Sequence, residues 1–503
     1  MNTKKLLISI LSLILCLCML VPVMVACGNN DTPADGKETK AGDKESKNGE
    51  TQGEESETEF RYVAHYPAGT DLKKAELRIL TWEYIEGNPW IDVDFAAETF
   101  TGDIVNDAAY SRMKSVEEDI NCTIIANPDC KYGDSANRLQ TLVSSGTDAY
   151  DVAVIPARAA FNSLAEQGYL VNWNSIDSLE LDEPWWDQGA RDGLSMGGKL
   201  FMMDGDISIL YRKSLRVYYF NKGMHRDAGL EDFYELVKNK EWTIEKMVEA
   251  ALSVSADDGN GIHDENDVYG LIATVDTITT GLIGAGVRYT TKDEDDYPEF
   301  CFYNDDTIDV WSNYIEILYD KECCVLNNAS DRGYNTTNMF LNDQVLMSNC
   351  ELHNLANFRK MSTDFGILPT PMADDLQEQY LSTVNPVVCG CICIPTTNVN
   401  LQTTALILDA LGAESKNVLT PAYYDIYLTG QTARDEESTV CLDIIFNNVT
   451  WDIGNIYNWN NIATFTQQLV KSYNRSFTSE YEKIKDSAQT RLTETIEKFM
   501  ELE

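Results

Sequence analysis

Histidine is scarce in this chain. Only four of its 503 residues are histidines, namely His65, His225, His263 and His353, and they lie far apart in sequence. The sequence also contains no Walker-type phosphate loop and no HExxH helix. These absences argue against a phosphate-loop nucleotidase, a helix-based zinc hydrolase and a catalytic centre built on histidine.

Basic residues are also few. The chain has 39 lysines and arginines against 81 acidic residues, a formal net charge of −42. Because like charges repel, nucleic acid and anionic lipid are poor partners for it. Counting carboxylates leaves a surface glycoside hydrolase open, since that chemistry needs two acids about 5–10 Å apart across a sugar. The acidity itself names no ligand and is typical of solubility outside the cell.

Only one long apolar run occurs, and it lies at the N-terminus. Lys4 and Lys5 precede the apolar residues 6–24, and Val25-Ala26-Cys27-Gly28 closes the segment. A short positive region, an apolar span and a small-residue cleavage site in this order predict a signal peptide over residues 1–26. The alternative is a transmembrane anchor, since about 18 apolar residues can span a bilayer. No basic stop-transfer cluster follows, which favours the signal peptide.

Residues 28–60 offer almost nothing to bury. They consist mainly of Gly, Ser, Thr, Asn, Lys, Asp and Glu, and such a composition cannot offset the entropy cost of folding. Together with Cys27, this stretch is predicted to be a disordered tether that reaches about 30 Å as a flexible coil.

Cysteine is unevenly placed. Of thirteen cysteines, ten follow residue 27 at irregular spacings. Cys389, Cys391 and Cys393 alternate, so they face one side of a predicted strand. A metal cluster is one interpretation, and small buried core residues are the favoured one.

The body from residue 76 onward alternates apolar runs with helical patterns, which predicts an α/β fold. Residues 77–82, 122–125 and 151–155 are predicted strands of a first lobe. Residues 217–221 are interpreted as a strand that crosses between two lobes. Residues 269–273, 344–348 and 365–368 are further strands, and 387–394 returns to the first lobe. An apolar stripe from Tyr481 to Phe499 predicts a long C-terminal helix.

A loop after residue 255 partly matches an EF-hand. Asp258, Asn260, Asp264 and Asp267 occupy positions 3, 5, 9 and 12, and the Ile262 carbonyl occupies position 7. Position 1 is Ala256 and position 12 lacks the usual glutamate. A structural calcium site and a polar turn without metal are both open, and no cofactor is otherwise expected.

Aromatic residues beside acids indicate a ligand site. Trp82 and Glu83 follow the first predicted strand, where ligands of open α/β sheets bind. Trp185 and Trp186 are adjacent in a predicted loop, so both are not expected to point inward. Sugars stack on such rings, and these four residues are therefore predicted to contact a ligand.

Several motifs occur in a characteristic order. They are Ala26-Cys27-Gly28, VSSGTDAYDV at 143–152, AEQGYL at 165–170, YFNK at 219–222, EWT at 241–243, the segment 258–270 and FGILP at 365–369. Together they resemble the family 1 extracellular solute-binding lipoproteins of Gram-positive bacteria, which are similar to maltose-binding protein. The resemblance implies a two-lobed fold of the periplasmic-binding-protein type II kind, with a mixed sheet and flanking helices in each lobe and a hinge between them. Residues 76–218 and 383–432 would form lobe 1, and 222–382 and 433–503 would form lobe 2.

The same resemblance implies lipidation of Cys27, attachment to the outer face of the cell membrane, and a monomer that passes a small ligand to an ABC permease. It places further ligand contacts by loop position, at Arg158, Asp206, Asp276, Glu351 and Asn385. The expected ligand is an oligosaccharide and no catalysis is expected. A peptide or other solute, and a sensory role beside a receptor kinase, are the alternatives within this fold.

Overall fold

The computed structural model describes residues 60–83, 85, 94–131, 133–327, 333–429 and 436–502, with the side chains of 425–429 and 436 left out. The predicted signal peptide, lipidated Cys27 and nearly all of the predicted tether lie outside these residues. The described chain belongs to one compact unit, Phe60–Glu503. No helix among the described residues is both long and apolar enough to cross a bilayer.

The described residues form thirteen strands, numbered in chain order. They are β1 (Ala75–Trp82), β2 (Cys122–Cys130), β3 (Val152–Pro156), β4 (Arg216–Asn221), β5 (Tyr269–Ala273), β6 (Thr290–Lys292), β7 (Pro298–Phe300), β8 (Cys324–Leu326), β9 (Val345–Glu351), β10 (Phe365–Leu368), β11 (Ser382–Thr383), β12 (Gly390–Cys393) and β13 (Val449–Thr450).

The α-helices lie between these strands and after the last one. Their bounds are Ile104–Ile120, Ser135–Ser144, Ala157–Ala159, Gln188–Leu194, Leu210–Lys213, Lys222–Ala228, Phe233–Lys238, Ile244–Val254, Thr277–Gly284, Asp305–Leu318, Thr336–Leu341, Leu355–Phe358, Leu401–Glu414, Thr420–Thr429, Glu436–Asn447, Ile453–Tyr457, Phe465–Lys471 and Phe477–Glu501.

The first lobe is built on a four-stranded sheet in the order β12-β3-β1-β2. β1 runs parallel to β2 and β3, so helices must carry the chain back between them. The helix Ile104–Ile120 does so between β1 and β2, and its N-terminus is capped by the Asp103 carboxylate. β12 pairs with β3 in the antiparallel direction. The predicted return of 387–394 to this lobe is confirmed, and the sheet is mixed.

The second lobe is built on a five-stranded mixed sheet in the order β10-β4-β9-β5-β8. Both faces of this sheet are covered, as β4 shows: Tyr218 and Phe220 lie in one hydrophobic core, and Val217 and Tyr219 lie in the other. A strand buried on both faces is apolar throughout rather than alternating. The interpretation of β4 as a crossing between lobes is wrong, because the structure places the whole strand in the second sheet. The lobe boundary set at residue 218 therefore falls inside a strand.

Among the described residues, three chain segments connect the lobes side by side. Leu215, just before β4, forms a bridge with Val384. Next to it, β11 pairs with β13 in the parallel direction. We call these three segments the hinge, because each leads from elements of one sheet to elements of the other.

The C-terminal helix Phe477–Glu501 spans both hydrophobic cores. Phe477 and Tyr481 pack in the core on the outer side of the second sheet, whereas Leu492 and Phe499 pack in the core that contains the first sheet. Its far end is held by the buried Glu166 carboxylate of the first lobe. That carboxylate accepts hydrogen bonds from Arg491 at 2.6 Å and from Lys498 at 2.5 Å.

Candidate functional site

Polar side chains line a cleft beside the hinge. One compartment of 360 Å³ is lined by residues of β4, β5, β9 and the following loops, together with Asn385 and Val388 from the hinge connection. A second, narrower compartment of 50 Å³ shares Arg216, Asp276 and Asn385 with the first and adds Arg158 from the first lobe. We refer to the two compartments together as the cleft.

Arg216 organises the wall of the cleft that the second lobe supplies. It lies opposite Glu351 in the β4–β9 register, and its Nη1 donates to the Glu351 carboxylate at 2.7 Å. Its Nη2 donates to the Thr274 hydroxyl at 2.9 Å and to the Asn349 carbonyl at 2.9 Å. The Asp276 carboxylate lies 4.0 Å from Nη1. The buried guanidinium of Arg216 thus has a carboxylate to balance its charge and oxygen acceptors for its N–H donors.

The acidic groups of the cleft differ in their electrostatics. Burial is the largest single influence on Glu351 and would raise its pKa, but the Arg216 charge and the hydrogen bonds to the carboxylate together lower that pKa overall. Burial raises the pKa of Asp276, because Arg216 is farther from it and Glu351 repels it. Asn385 donates to the Glu351 carboxylate at 3.3 Å. Glu351 is therefore a stable anion committed to its partners, whereas Asp276 takes up a proton more readily.

Arg158 lies on the opposite wall, just after β3. Its Nε donates to the Ile456 carbonyl at 3.2 Å and its Nη2 to the Asn455 carbonyl at 2.8 Å. Burial lowers its pKa to about 10, so it stays cationic at neutral pH. These two carbonyls hold the guanidinium in place at the floor of the narrow compartment.

Four of the nine predicted ligand contacts meet in this cleft, namely Arg158, Asp276, Glu351 and Asn385. They come from loops up to 227 positions apart in sequence. Their convergence agrees with the loop positions implied by the family resemblance. Their role in binding stays a prediction.

Three other predicted contacts lie elsewhere. Trp82 ends β1 but is buried in the first lobe, and the exposed Glu83 does not line the cleft. Asp206 is buried in an ion-pair network, where it accepts from Arg212 at 2.8 Å and from Lys416 at 3.0 Å. Asp206 therefore neutralises two cations of the first lobe, and the prediction that it faces a ligand is wrong in this structure.

Trp185 and Trp186 are core residues. Their exposed fractions are 1% and 2%, and both indole N–H groups donate to the Asp409 carboxylate, at 3.4 Å and 2.9 Å. The expectation that adjacent indoles could not both point inward is wrong, because one buried acid serves both. Neither ring is free to stack on a sugar here.

Two central residues of the cleft were missed by the sequence analysis, Arg216 and His353. Arg216 carried a signal, since it opens the otherwise apolar run Arg216–Asn221 and a charge at such a position needs a buried partner. His353 carried none, because it lies in an irregular turn after β9.

The predicted calcium loop is held together by its own hydrogen bonds. Both Asp267 oxygens accept backbone N–H groups, from Asp258 and from Asp264. Asn260 accepts from the Ile262 N–H at 2.6 Å. Ligand atoms of Asp257, His263 and Asp267 lie within 4.8 Å of one another, and only Asp267 of this trio is among the predicted calcium ligands. Calcium binding by this loop stays a prediction.

The ten cysteines after residue 27 are all free thiols in the described chain. Cys389, Cys391 and Cys393 are buried in the first lobe, as the core interpretation predicts. Asp204 lies against the first two of them, and burial raises the pKa of that carboxyl well above its usual range. An acid and two thiols whose pKa values are all raised favour the packed-core interpretation.

The sequence Gly193–Gly197 has the form GxSxG, but it is not a nucleophile elbow. In that motif the serine follows a strand and opens a helix. Ser195 instead follows the end of the helix Gln188–Leu194, and its hydroxyl donates to the Asp296 carboxylate at 3.0 Å. The motif is therefore part of a loop.

A larger groove of 1100 Å³ lies on the second lobe, and the described residues that line it, including Glu245, Arg288 and Leu376, all belong to that lobe. Closure of the two lobes would therefore not enclose this groove. The cleft beside the hinge remains the candidate site.

A family model described as "bacterial extracellular solute-binding protein" matches residues 111–417. This segment is more than half of the chain, and it contains all of the second sheet and three of the four strands of the first sheet. The chain belongs to this family. None of the curated proteins matches it.

Solved structures show the fold of this solute-binding protein. An ABC substrate-binding protein from Listeria monocytogenes, solved with cycloalternan, has a TM-score of 0.52 at 15% identity and covers 86% of this chain and 100% of that one. The galacto-N-biose-/lacto-N-biose I-binding protein from Bifidobacterium longum, solved with lacto-N-biose, has a TM-score of 0.54 at 14% identity and covers 85% and 98%. A solute-binding protein from Thermotoga lettingae, solved with α-D-tagatose, has a TM-score of 0.51 at 16% identity and covers 84% and 100%. The predicted two-lobed fold class is confirmed.

The solute-binding protein should lose stability on acidification through His353. Burial lowers the pKa of this imidazole to about 4, against about 6.5 in an unfolded chain. A lowered folded-state pKa adds stability above pH 6.5 that is lost as the pH falls toward 4. Chemical denaturation of wild type and His353→Gln at pH 7 and pH 4.5 measures this. We expect the variant to show a smaller loss, by about 2 kcal/mol; equal losses would contradict the assignment.

Proposed function

We propose that this protein is a lipid-anchored receptor on the outer face of the cell membrane that delivers an oligosaccharide to an ABC importer. The observation that carries the proposal is the cleft, where side chains of both lobes face one cavity beside the hinge. Arg158 lies on the first lobe, and Arg216, Asp276 and Glu351 lie on the second. A ligand between them would touch both lobes at once.

Closure follows from this geometry. A ligand that contacts both walls interacts more strongly with the closed form than with the open form, so it shifts the equilibrium between them. The rotation of the lobes during closure would be confined to the hinge, because its three adjacent segments connect the two lobes. A permease that recognises the closed shape would then receive only the loaded protein.

The sugar class is supported by the structural neighbours and by the donor set. The neighbours were solved with cycloalternan, tagatose and lacto-N-biose. The cleft offers hydroxyl, amide and charged groups, which pair with sugar hydroxyls. Its carboxylates Glu351 and Asp276 both face Arg216, so a binding role suits them better than acid–base catalysis, and we propose no enzymatic activity.

The N-terminus supports the location. A signal peptide over residues 1–26 followed by Cys27 would place a lipid on the mature N-terminus, and residues 28–60 would tether the receptor near the permease. We propose that the protein is a monomer. We also propose that it has no nucleic-acid partner, because its net charge of −42 disfavours binding to polyanions.

A thermal-shift screen of the mature protein against neutral and acidic oligosaccharides and peptides tests this function. A ligand present at about 100 times its dissociation constant should add about 2.7 kcal/mol to the free energy of unfolding. The same ligand should reduce the radius of gyration in small-angle X-ray scattering. If melting and scattering are unchanged with every sugar, the proposal is wrong; a response to oligopeptides alone would reassign the ligand class.

A further inference from the structure

Two arginines line the cleft, and they differ in their partners. Arg216 donates to Glu351 at 2.7 Å and has Asp276 at 4.0 Å. Arg158 bonds only to the backbone carbonyls of Asn455 and Ile456, and no carboxylate of the described chain forms an ion pair with it. Its Nη1 makes no hydrogen bond to any described residue. Arg216 is thus paired directly with a carboxylate, whereas Arg158 has no direct ion pair and only the more distant charge of Asp276 to offset its own.

A cation without a direct ion pair at the floor of a closing cleft is costly. Removing a charge from water is unfavourable unless an opposite charge or strong hydrogen bonds replace the water. Closure of the lobes would exclude solvent from Arg158, and the two carbonyls satisfy only part of the guanidinium. A ligand group that brought a negative charge would remove this cost in the closed form.

The shape of the cleft is consistent with such a group. The compartment around Arg158 measures 50 Å³ and the adjoining one 360 Å³. The small compartment has room for one compact group, and the larger one for the rest of a sugar. The hydroxyls of Thr279 and Thr280 line the small compartment beside Arg158. Guanidinium groups bind planar or tetrahedral oxyanions through two parallel N–H bonds.

Ring stacking has little part in the described cleft. Phe358 lines it, but this ring is buried, with an exposed fraction of 3%, and packs edge-on against Tyr219. Among the described residues, the cleft therefore offers hydrogen-bonding and charged groups, with Arg158 among them, and no exposed Phe, Tyr or Trp ring.

Asp276 is the acid that lines this compartment. Its carboxylate lies 4.0 Å from Arg216. Burial raises its pKa, so an added negative charge favours its neutral form. Binding of an anion should therefore take up a proton and strengthen as the pH falls.

We infer that the ligand is a sugar that carries a carboxylate or phosphate, and that Arg158 binds this anionic group. The inference rests on the proposed function and narrows it. A carboxylate and a phosphate present the same chemistry to the guanidinium, which is two or more oxygens that share a negative charge.

Matched sugars test the inference by isothermal titration calorimetry. Glucose, galactose and mannose are each compared with their uronates and their 6-phosphates, as monosaccharides and as β1,4-linked disaccharides. We expect an acidic member to bind at least 30-fold more tightly than its neutral parent. The uronate and the 6-phosphate arms distinguish the two kinds of anion.

Two variants assign the effect to Arg158. Arg158→Gln should weaken binding of the acidic sugar about 30-fold, which is far more than it weakens binding of the neutral parent. Arg158→Lys keeps the charge but loses the paired donors, so its affinity for the acidic sugar should lie between those of wild type and Arg158→Gln. This conservative variant keeps the test valid if Arg158→Gln folds poorly.

The outcomes separate this inference from the function on which it rests. A neutral sugar that binds as tightly as its acid and reduces the radius of gyration would support the receptor and overturn the anionic ligand. Equal affinities of wild type and Arg158→Gln for the acidic sugar would overturn the role of Arg158. Absence of any sugar binding would overturn the proposed function, and the inference with it.

Discussion

Replacing Arg216 with methionine is expected to lower the free energy of unfolding by about 3–5 kcal/mol. Methionine fills a similar volume but leaves Glu351 without its charge partner, and burial then destabilises that carboxylate. Asn349 and Thr274 also lose a donor. Urea denaturation followed by circular dichroism measures the loss.

A second substitution isolates the charge effect. Combining Arg216→Met with Glu351→Gln removes both charges, and we expect it to recover about 2 kcal/mol of the loss. The matched control is Arg226→Met, whose ion pair with Asp227 is largely exposed and should contribute under about 1 kcal/mol. If Arg216→Met and Arg226→Met cost the same, the guanidinium does not organise the cleft.

Replacing Trp186 with alanine is expected to destabilise the protein by about 3–5 kcal/mol while leaving ligand affinity unchanged. The ring is buried against Trp173 at a centroid distance of 5.6 Å, and its N–H donates to Asp409. Its removal leaves a cavity in the first lobe, away from the cleft. Denaturation gives the stability, and calorimetry at a temperature where the variant is folded gives the affinity.

The variant Trp186→Phe is a milder version of the same change. It keeps one aromatic ring and loses the indole N–H and part of the ring volume, so we expect a cost of about 1–3 kcal/mol, below that of Trp186→Ala. A ligand affinity reduced tenfold in folded Trp186→Ala would return this residue to the binding site and contradict its assignment to the core.

Local patterns predicted most of the fold. The strands β1, β5 and β10 and the C-terminal helix agree closely with the apolar runs and stripes from which they were predicted. β4 was recognised as a strand but assigned to the wrong place. Its apolar residues show that both faces are buried, and they carry no information on which sheet buries them.

The candidate site was predictable only in part, because it depends on contacts between distant segments. Loops at the carboxyl ends of strands could be ranked by position, and that found Arg158, Asp276 and Glu351. Trp185 and Trp186 were misassigned because their acid, Asp409, lies more than 220 positions later in the chain. A tryptophan next to an acid in sequence is typical of a sugar-binding site. Here the acid that pairs with both indoles is distant in sequence, and the rings are buried.

The C-terminal helix has a consequence for how the molecule can be divided. Phe477 and Phe499 belong to different cores of one continuous helix, and Glu166 fastens its far end. Neither sheet with its own helices is therefore a self-sufficient fragment, since removing either one would expose apolar residues of the shared helix to solvent. Domain shuffling or split-protein designs on this scaffold need to keep the last twenty-five residues of secondary structure intact, and a reporter fused after Leu502 would emerge beside Gly168 on the first lobe.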